Sequence, residues 1–295
     1  MAFSTLRYSL VSLLLCTVTA LDLPVYSGLR TDQSKPGVLE IGFNSTTSQV
    51  NAWGQEFVTG LTDIVNRLQN NTEIKVILFK SDVPEYFVPH LDLLINPPDP
   101  TIVLRTVDLI YNLTSLPQVS IGAVNGVARG GGNEFLSALD MRFATKGHSR
   151  FGQPEVSTGI IPGAGGAQFL PGLIGRGRAM EYILSGKDVN AEDAERIGWI
   201  NKAFESERQM NDYIDELTSR IAAFPVYALG LTKEAINVRT RPQLTELQGD
   251  TNRYLKAAEN PIAQAAGPRA FELLKLQSPG YIELFLGEFL PSIWA

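Results

Sequence analysis

A single cysteine among 295 residues rules out an intrachain disulfide framework, and two histidines are too few for a His-rich metal site. Basic clusters are also missing. The chain sets 25 Lys and Arg against 31 Asp and Glu, a net charge of −6, and so lacks the cationic footprint that a nucleic-acid backbone demands. The same charge disfavours acidic membranes. With 44% apolar residues, 19% charged residues and 26 glycines, the composition is that of a globular, enzyme-sized chain, and neither a disordered tail nor a coiled coil fits it.

Residues 1–20 stand apart. Arg7 carries their one positive charge, an apolar run follows from Leu10 to Val18, and Val18-Thr19-Ala20 offers small residues at a cleavage position. This is the tripartite pattern of a secretory signal peptide. The run is shorter than the ~20 residues a bilayer span needs, and the alternatives are a retained apolar leader or a weak organelle signal. Cleavage would remove Cys16, and sequons at Asn44, Asn70 and Asn112 would be usable in a secretory compartment. The C-terminal Ser-Ile-Trp-Ala is not a peroxisomal tripeptide. The expected location is therefore secretory or extracellular if the leader is cleaved, and intracellular otherwise.

Beyond the leader the pattern alternates. Gly37 to Phe43 reads as a strand, and apolar residues from Val50 to Leu68 then recur at helical spacing. Ile74 to Phe79 reads as a strand buried on both faces, and Pro84 to Pro100 as irregular chain. A helix over Thr101 to Leu113 leads to a strand over Val119 to Val124, then a glycine-rich turn at Gly126 to Gly132 that opens another helix. Alternating strand and helix predict an α/β core over residues 21–200. Beyond Asn201 the pattern is helical, over Met210 to Ala222, Tyr227 to Val238, Leu244 to Ala258 and Pro261 to Leu276, giving a helical region over 201–295 that packs on the core or on a neighbouring subunit.

Two segments can carry chemistry. Asn125-Gly126-Val127-Ala128-Arg129-Gly130-Gly131-Gly132-Asn133-Glu134 follows a buried strand and opens a helix, so free backbone N–H groups there suit an oxygen bearing negative charge. It lacks the Lys-Ser/Thr of a P-loop and the spacing of a dinucleotide fingerprint, so a plain tight turn is the competing reading. Phe151-Gly152-Gln153-Pro154-Glu155 precedes a second glycine run at Gly163 to Gly166. Glu134 and Glu155, if they meet in one pocket, would shift each other's pKa and divide acid and base roles, although most glutamates are solvated surface.

From about Gly37 to about Leu276 the sequence resembles the crotonase superfamily, the enoyl-CoA hydratase/isomerase family. The two segments above carry the resemblance, with Ile161-Pro162-Gly163-Ala164-Gly165-Gly166-Ala167-Gln168 and with Leu184-Ser185-Gly186-Lys187 through Gly198. The resemblance implies an α/β spiral of ββα units with a C-terminal helical trimerisation region, assembled as a homotrimer or hexamer. It also implies enolate chemistry on an acyl-CoA thioester, with the amides of Leu91 and Gly131 as oxyanion hole and Glu134 and Glu155 as the catalytic pair. Gly163 matches a glycine that positions the catalytic water, and Pro89, His90, Asp92 and Leu93 fall in the substrate-binding loop. No metal and no cofactor beyond the CoA of the substrate is implied.

Several positions depart from the family pattern. His90 replaces a glycine and reads as a loop residue on Pro89 with no evident partner; Leu91 replaces an alanine and narrows the pocket. Phe169 stands where arginine is frequent, while Lys275 and Pro279 match only part of a basic segment that meets CoA phosphates. His148 reads as surface loop. Two carboxylates favour a hydratase. An isomerase, a lyase or hydrolase of specialised metabolism, and a non-catalytic secreted scaffold of the same fold are the alternatives.

Overall fold

The computed structural model describes residues 20–94, 99, 101–275 and 277–295. Residues 1–19, and with them the leader and Cys16, lie outside the described residues, as do Pro97, Pro98, Pro100 and Leu276.

The chain opens with β1 (Leu29–Asp32), β2 (Val38–Phe43) and α1 (Gln55–Leu68). Two ββα units follow: β3 (Val76–Ser81), β4 (Glu85–Val88) and α2 (Ile102–Ser115), then β5 (Val119–Val124), β6 (Gly126–Arg129) and α3 (Gly130–Ala138). A third pair, β7 (Met141–Thr145) and β8 (Arg150–Gly152), leads through a 3-10 turn at Glu155–Thr158 into α4 (Gly166–Ile174) and α5 (Arg176–Ser185). Each unit gives one strand to each of two sheets. The larger runs β1-β2-β3-β5-β7-β10 and the smaller β4-β6-β8-β9, with β9 (Val189–Asn190), α6 (Ala191–Ile197) and β10 (Lys202–Phe204) completing them. Apart from the antiparallel edge pairs β1–β2 and β8–β9, the strands are parallel.

The uninterrupted apolar run of β3 follows from having both faces covered. Ile77 and Phe79 join the main core beneath α1 and α2, while Val76 and Leu78 join a second cluster with Phe143, Phe204, Met210 and Ile214. The helix supplying Met210 and Ile214 is α7 (Glu207–Ala222), followed by α8 (Val226–Thr240), α9 (Leu244–Ala258) and α10 (Pro261–Leu274). Two short turns of helix, α11 (Tyr281–Leu284) and α12 (Leu286–Phe289), end the chain with a 3-10 segment at Leu290–Trp294. No described helix is long and apolar enough to cross a membrane.

Three sequence expectations are corrected. The Pro84 to Pro100 stretch contains β4, because Pro84 and Pro89 flank Tyr86, Phe87 and Val88 instead of interrupting them. The glycine-rich turn is largely strand: Val127 and Ala128 of β6 are fully buried, and the helix starts only at Gly130. The tail is not purely helical, since β10 adds a parallel strand beside β7.

Candidate active site

The parallel pairing of β4 and β6 brings the loop after β4 beside the start of α3. In that loop Trp53 and Leu91 form an isolated parallel bridge, in which the Trp53 N–H donates to the His90 carbonyl at 2.8 Å and the Asp92 N–H donates to the Trp53 carbonyl at 2.9 Å. Such a bridge turns the N–H and carbonyl of Leu91 itself away from Trp53. Across the gap, Gly131 is the second residue of α3, where an N–H has no intrahelical acceptor. Among the described residues neither N–H has an acceptor, and both residues line one cavity of about 120 Å³.

The consecutive glycines at the start of α3 do different work. Gly130 has φ +47°, a left-handed conformation that favours glycine. At Gly132 a Cβ would lie 2.1 Å from the Val88 carbonyl oxygen, so its lack of a side chain serves the packing of α3 on β4 and not ligand approach. At Gly131 a Cβ would meet nothing nearer than Trp53 at 3.8 Å.

Glu134 and Glu155 both line this cavity. Glu134 Oε1 accepts the N–H groups of Ala164 and Gly166 at 2.8 and 2.9 Å. The second glycine run therefore grips a carboxylate of this chain instead of a ligand. Burial pushes the Glu134 carboxyl up to about 7; the two N–H groups oppose that shift and the charge of Asp250 adds to it. Glu155 lies across Gly130, where its Oε1 would be 3.0 Å from a Cβ, and its Oε2 is a buried oxygen without a described partner. Burial, reinforced by the charge of Glu134, holds its carboxyl well above the usual range.

The remaining expected residues separate into two groups. His90, Leu93 and Gly163 line the cavity, whereas Pro89 and Asp92 are buried behind the loop. Asp92 serves the loop itself, accepting the Leu94 N–H at 2.9 Å and the Gln277 side-chain amide at 2.7 Å. The Gly163 carbonyl accepts the Thr251 hydroxyl at 2.8 Å, and a Cβ there would press on Tyr254 at 2.8 Å. His90 is not a lone loop residue, as its sequence context suggests. Its Nδ1 is 2.7 Å from the Leu91 carbonyl, and its Nε2 is 3.1 Å from Oε1 of Glu283, an ion-pair contact outside hydrogen-bond alignment. Phe169 packs into the core, Lys275 and Pro279 are exposed, and His148 is exposed as expected of a surface loop.

The apolar wall of the cavity escaped the motif reading. Trp53, Val103, Ile160, Tyr254, Leu286 and Leu290 form it, drawn from segments that share no motif. The Trp53 indole is fixed by donating to the Thr106 hydroxyl at 2.9 Å. The arrangement suits an acyl group whose carbonyl sits on two N–H donors beside two carboxyl groups of raised pKa.

Similarity to known proteins agrees with this geometry. The profile of the family "Enoyl-CoA hydratase/isomerase" matches residues 33–272. A short-chain-enoyl-CoA hydratase of Clostridium acetobutylicum is 32% identical over 208 residues, covering 69% of this chain and 79% of that protein. A crystal structure from Streptomyces avermitilis, provisionally named an enoyl-CoA hydratase, superposes with a TM-score of 0.84 at 32% identity, over 91% of this chain and 98% of its own. An enoyl-CoA hydratase from Bacillus anthracis gives a TM-score of 0.68 at 27% identity, over 87% and 100%. With its paired sheets, its helical tail and its sequence match over residues 33–272, the chain belongs to the enoyl-CoA hydratase/isomerase family of the crotonase superfamily.

Proposed function

We propose that the protein is a hydratase of short 2-enoyl-CoA thioesters, with Glu134 and Glu155 as catalytic residues and the N–H groups of Leu91 and Gly131 as oxyanion hole. The observation that carries this reading is the convergence of two unlike carboxyl groups and two free N–H donors on one cavity. Glu134, supported as a carboxylate by two N–H groups, takes a proton from water as the water oxygen bonds to C3. The C2–C3 π electrons move toward the thioester, whose oxygen gains charge against the two amides, a stabilisation worth about 3–4 kcal/mol per donor. Glu155, kept protonated by burial and by its neighbour's charge, then delivers its proton to C2. Water has added across the double bond, and the pair resets by proton exchange with solvent. No metal or redox group enters this scheme.

The apolar wall confines the cavity to about 120 Å³, which supports a short acyl chain. The name of the Clostridium relative points the same way. The experiment is the loss of enoyl-thioester absorbance when the protein meets a trans-2-enoyl-CoA of four carbons, compared with Glu134→Gln and Glu155→Gln. Hydration abolished by both substitutions in folded protein supports the paired mechanism. Turnover of a 3-enoyl-CoA without hydration would make the enzyme an isomerase, and absence of both CoA binding and turnover would leave the scaffold reading.

Self-association belongs to the same proposal. On α8, Tyr227, Leu231 and Val238 share one side and are each 63–73% exposed, an apolar face suited to a second copy in a trimer or hexamer, which light scattering would size. Secretory passage is likewise proposed from the leader pattern. Asn44, Asn70 and Asn112 are all exposed, so the fold accommodates glycans there, and a mass loss on deglycosylation would test it.

A further inference from the structure

The geometry points to His90 and Glu283 as a buried positioning ion pair that clamps the C-terminal segment onto the oxyanion loop and holds the Leu91 peptide in its productive orientation. This rests on the hydratase reading of the cavity given above.

His90 bridges two sides of the site. Its main chain belongs to the Trp53 bridge, its Nδ1 reaches the Leu91 carbonyl, and its Nε2 faces Glu283 on α11. With a carbonyl at one ring nitrogen and a carboxylate at the other, only the doubly protonated imidazolium serves both. The Glu283 side chain is fully buried, and its Oε2 accepts the Gln277 N–H at 2.8 Å. Gln277 in turn accepts the Leu93 N–H at 2.6 Å and donates to Asp92 at 2.7 Å. Arg129 secures the same turn from β6, donating to the carbonyls of Glu283 and Leu284 at 2.9 and 2.7 Å.

Two consequences follow for the reacting groups. The His90–Leu91 peptide, which carries the oxyanion N–H, is held at its carbonyl by Trp53, while the next peptide is held by Asp92 N–H and by the imidazole. The clamp also sets Leu286 and Leu290, just beyond Glu283, as the wall of the acyl cavity. The charged groups around His90 are Glu283 on α11, Arg129 on β6, Asp92 on its own loop, and Glu155 beyond Gly130. Burial opposes an imidazolium here, but Glu283 and the Leu91 carbonyl outweigh it and hold the His90 pKa above the ordinary histidine value. Glu283 is correspondingly held below the usual carboxylate range: burial alone would raise it, but His90 and the Gln277 N–H prevail.

The chain has only two histidines, so the full-length protein with labelled histidine gives two imidazole signals, and His90→Asn assigns them. The expected wild-type result is a His90 ring that titrates above the ordinary histidine value. In Glu283→Gln only the Leu91 carbonyl still opposes burial, and the His90 pKa should fall from its wild-type value. The kcat should fall about tenfold with KM changed less than about threefold, the split expected of a misplaced oxyanion donor. His90→Asn, which keeps an N–H within reach of the Leu91 carbonyl, should retain more kcat than His90→Ala. A His90 ring that titrates at or below the ordinary histidine value in the wild type overturns the proposal whether or not any variant folds, and so does an unchanged kcat in Glu283→Gln. The imidazole measurement needs no substrate, so a protein that hydrates no enoyl thioester would defeat the functional reading while the spectrum still decides the pair.

Discussion

Adjacent glycines at the start of α3 should respond oppositely to alanine. In Gly132→Ala the new methyl carbon lands 2.1 Å from the Val88 carbonyl oxygen and 2.6 Å from Val88 Cβ. A relaxed carbon-to-oxygen contact is about 3.3 Å or longer, so the start of α3 must retreat by about 1 Å from β4. Because the obstacle is backbone, the cost lies at the upper end of overpacking, about 3 kcal/mol. At about 2–3 °C per kcal/mol for a domain of this size, Tm should fall by roughly 6–9 °C. The same retreat displaces the Gly131 N–H, and a misplacement of about 1 Å is worth on the order of a hundredfold in kcat. In Gly131→Ala the methyl meets only Trp53 at 3.8 Å, an ordinary contact, and the helix gains about 0.5–1 kcal/mol from losing a glycine. Tm should hold or rise, the N–H survives, and the methyl intrudes beside the Trp53 wall, so KM should rise while kcat falls far less than in Gly132→Ala. Thermal melts and steady-state hydration on the two variants decide the matter. If Gly131→Ala is the less stable of the two, or Gly132→Ala melts like the wild type, the assignment of these glycines is wrong.

Three further outcomes are expected. The folded protein binds protons at Glu134 and Glu155 more tightly than the unfolded chain does, so stability is fully present below the unfolded carboxyl pKa near 4.5 and declines as pH rises through the folded value, about 7 for Glu134. Glu134→Gln and Glu155→Gln should therefore melt higher than the wild type at about pH 8, with the gap closing toward about pH 5; a gap that widens on acidification would contradict the raised pKa. Arg129, a fully buried guanidinium, pairs with Asp188 at 2.6 Å, so Arg129→Met strands a carboxylate and two carbonyls and should cost about 3–5 kcal/mol. Limited proteolysis of that variant should cut first between residues 275 and 290, and cleavage starting elsewhere would count against the clamp. Leu290→Ala opens the acyl wall and should shift the kcat/KM optimum toward longer enoyl chains by about one or two carbons, at about 2–5 kcal/mol of stability; an unmoved optimum would remove Leu290 from the substrate path.

Much of this site is legible in the chain because its parts are local. A strand, a glycine-rich segment and a helix that follow one another between Val119 and Ala138 place Gly131 and Glu134, and Val119 to Val124 and Leu244 to Ala258 form the elements their periodicity indicates. The errors arise where one residue type has two uses. Prolines that flank a strand read like prolines that break one, which hid β4, and Gly132 looks like a ligand-facing glycine although it serves helix packing. Gly163 to Gly166 resembles a second ligand cradle, yet two of its N–H groups are taken by Glu134.

The partner of His90 was illegible for a different reason. Glu283 lies 193 residues away, on a four-residue helix with no motif, and only the return of the chain across the cavity joins them. Burial disfavours a charged imidazole at His90, and the one local group that opposes it, the Leu91 carbonyl, is joined by Glu283 only in the folded chain. The upward pull on the His90 pKa is therefore largely a property of the tertiary fold, and the same holds for the cavity wall. Leu286 and Leu290 sit where they do because Arg129, Gln277 and Glu283 tie the tail to β6 and to the oxyanion loop. Loosening that tail should thus alter both how the thioester oxygen is held and how long a chain the cavity admits, two properties that a site confined to the glycine motifs would keep independent.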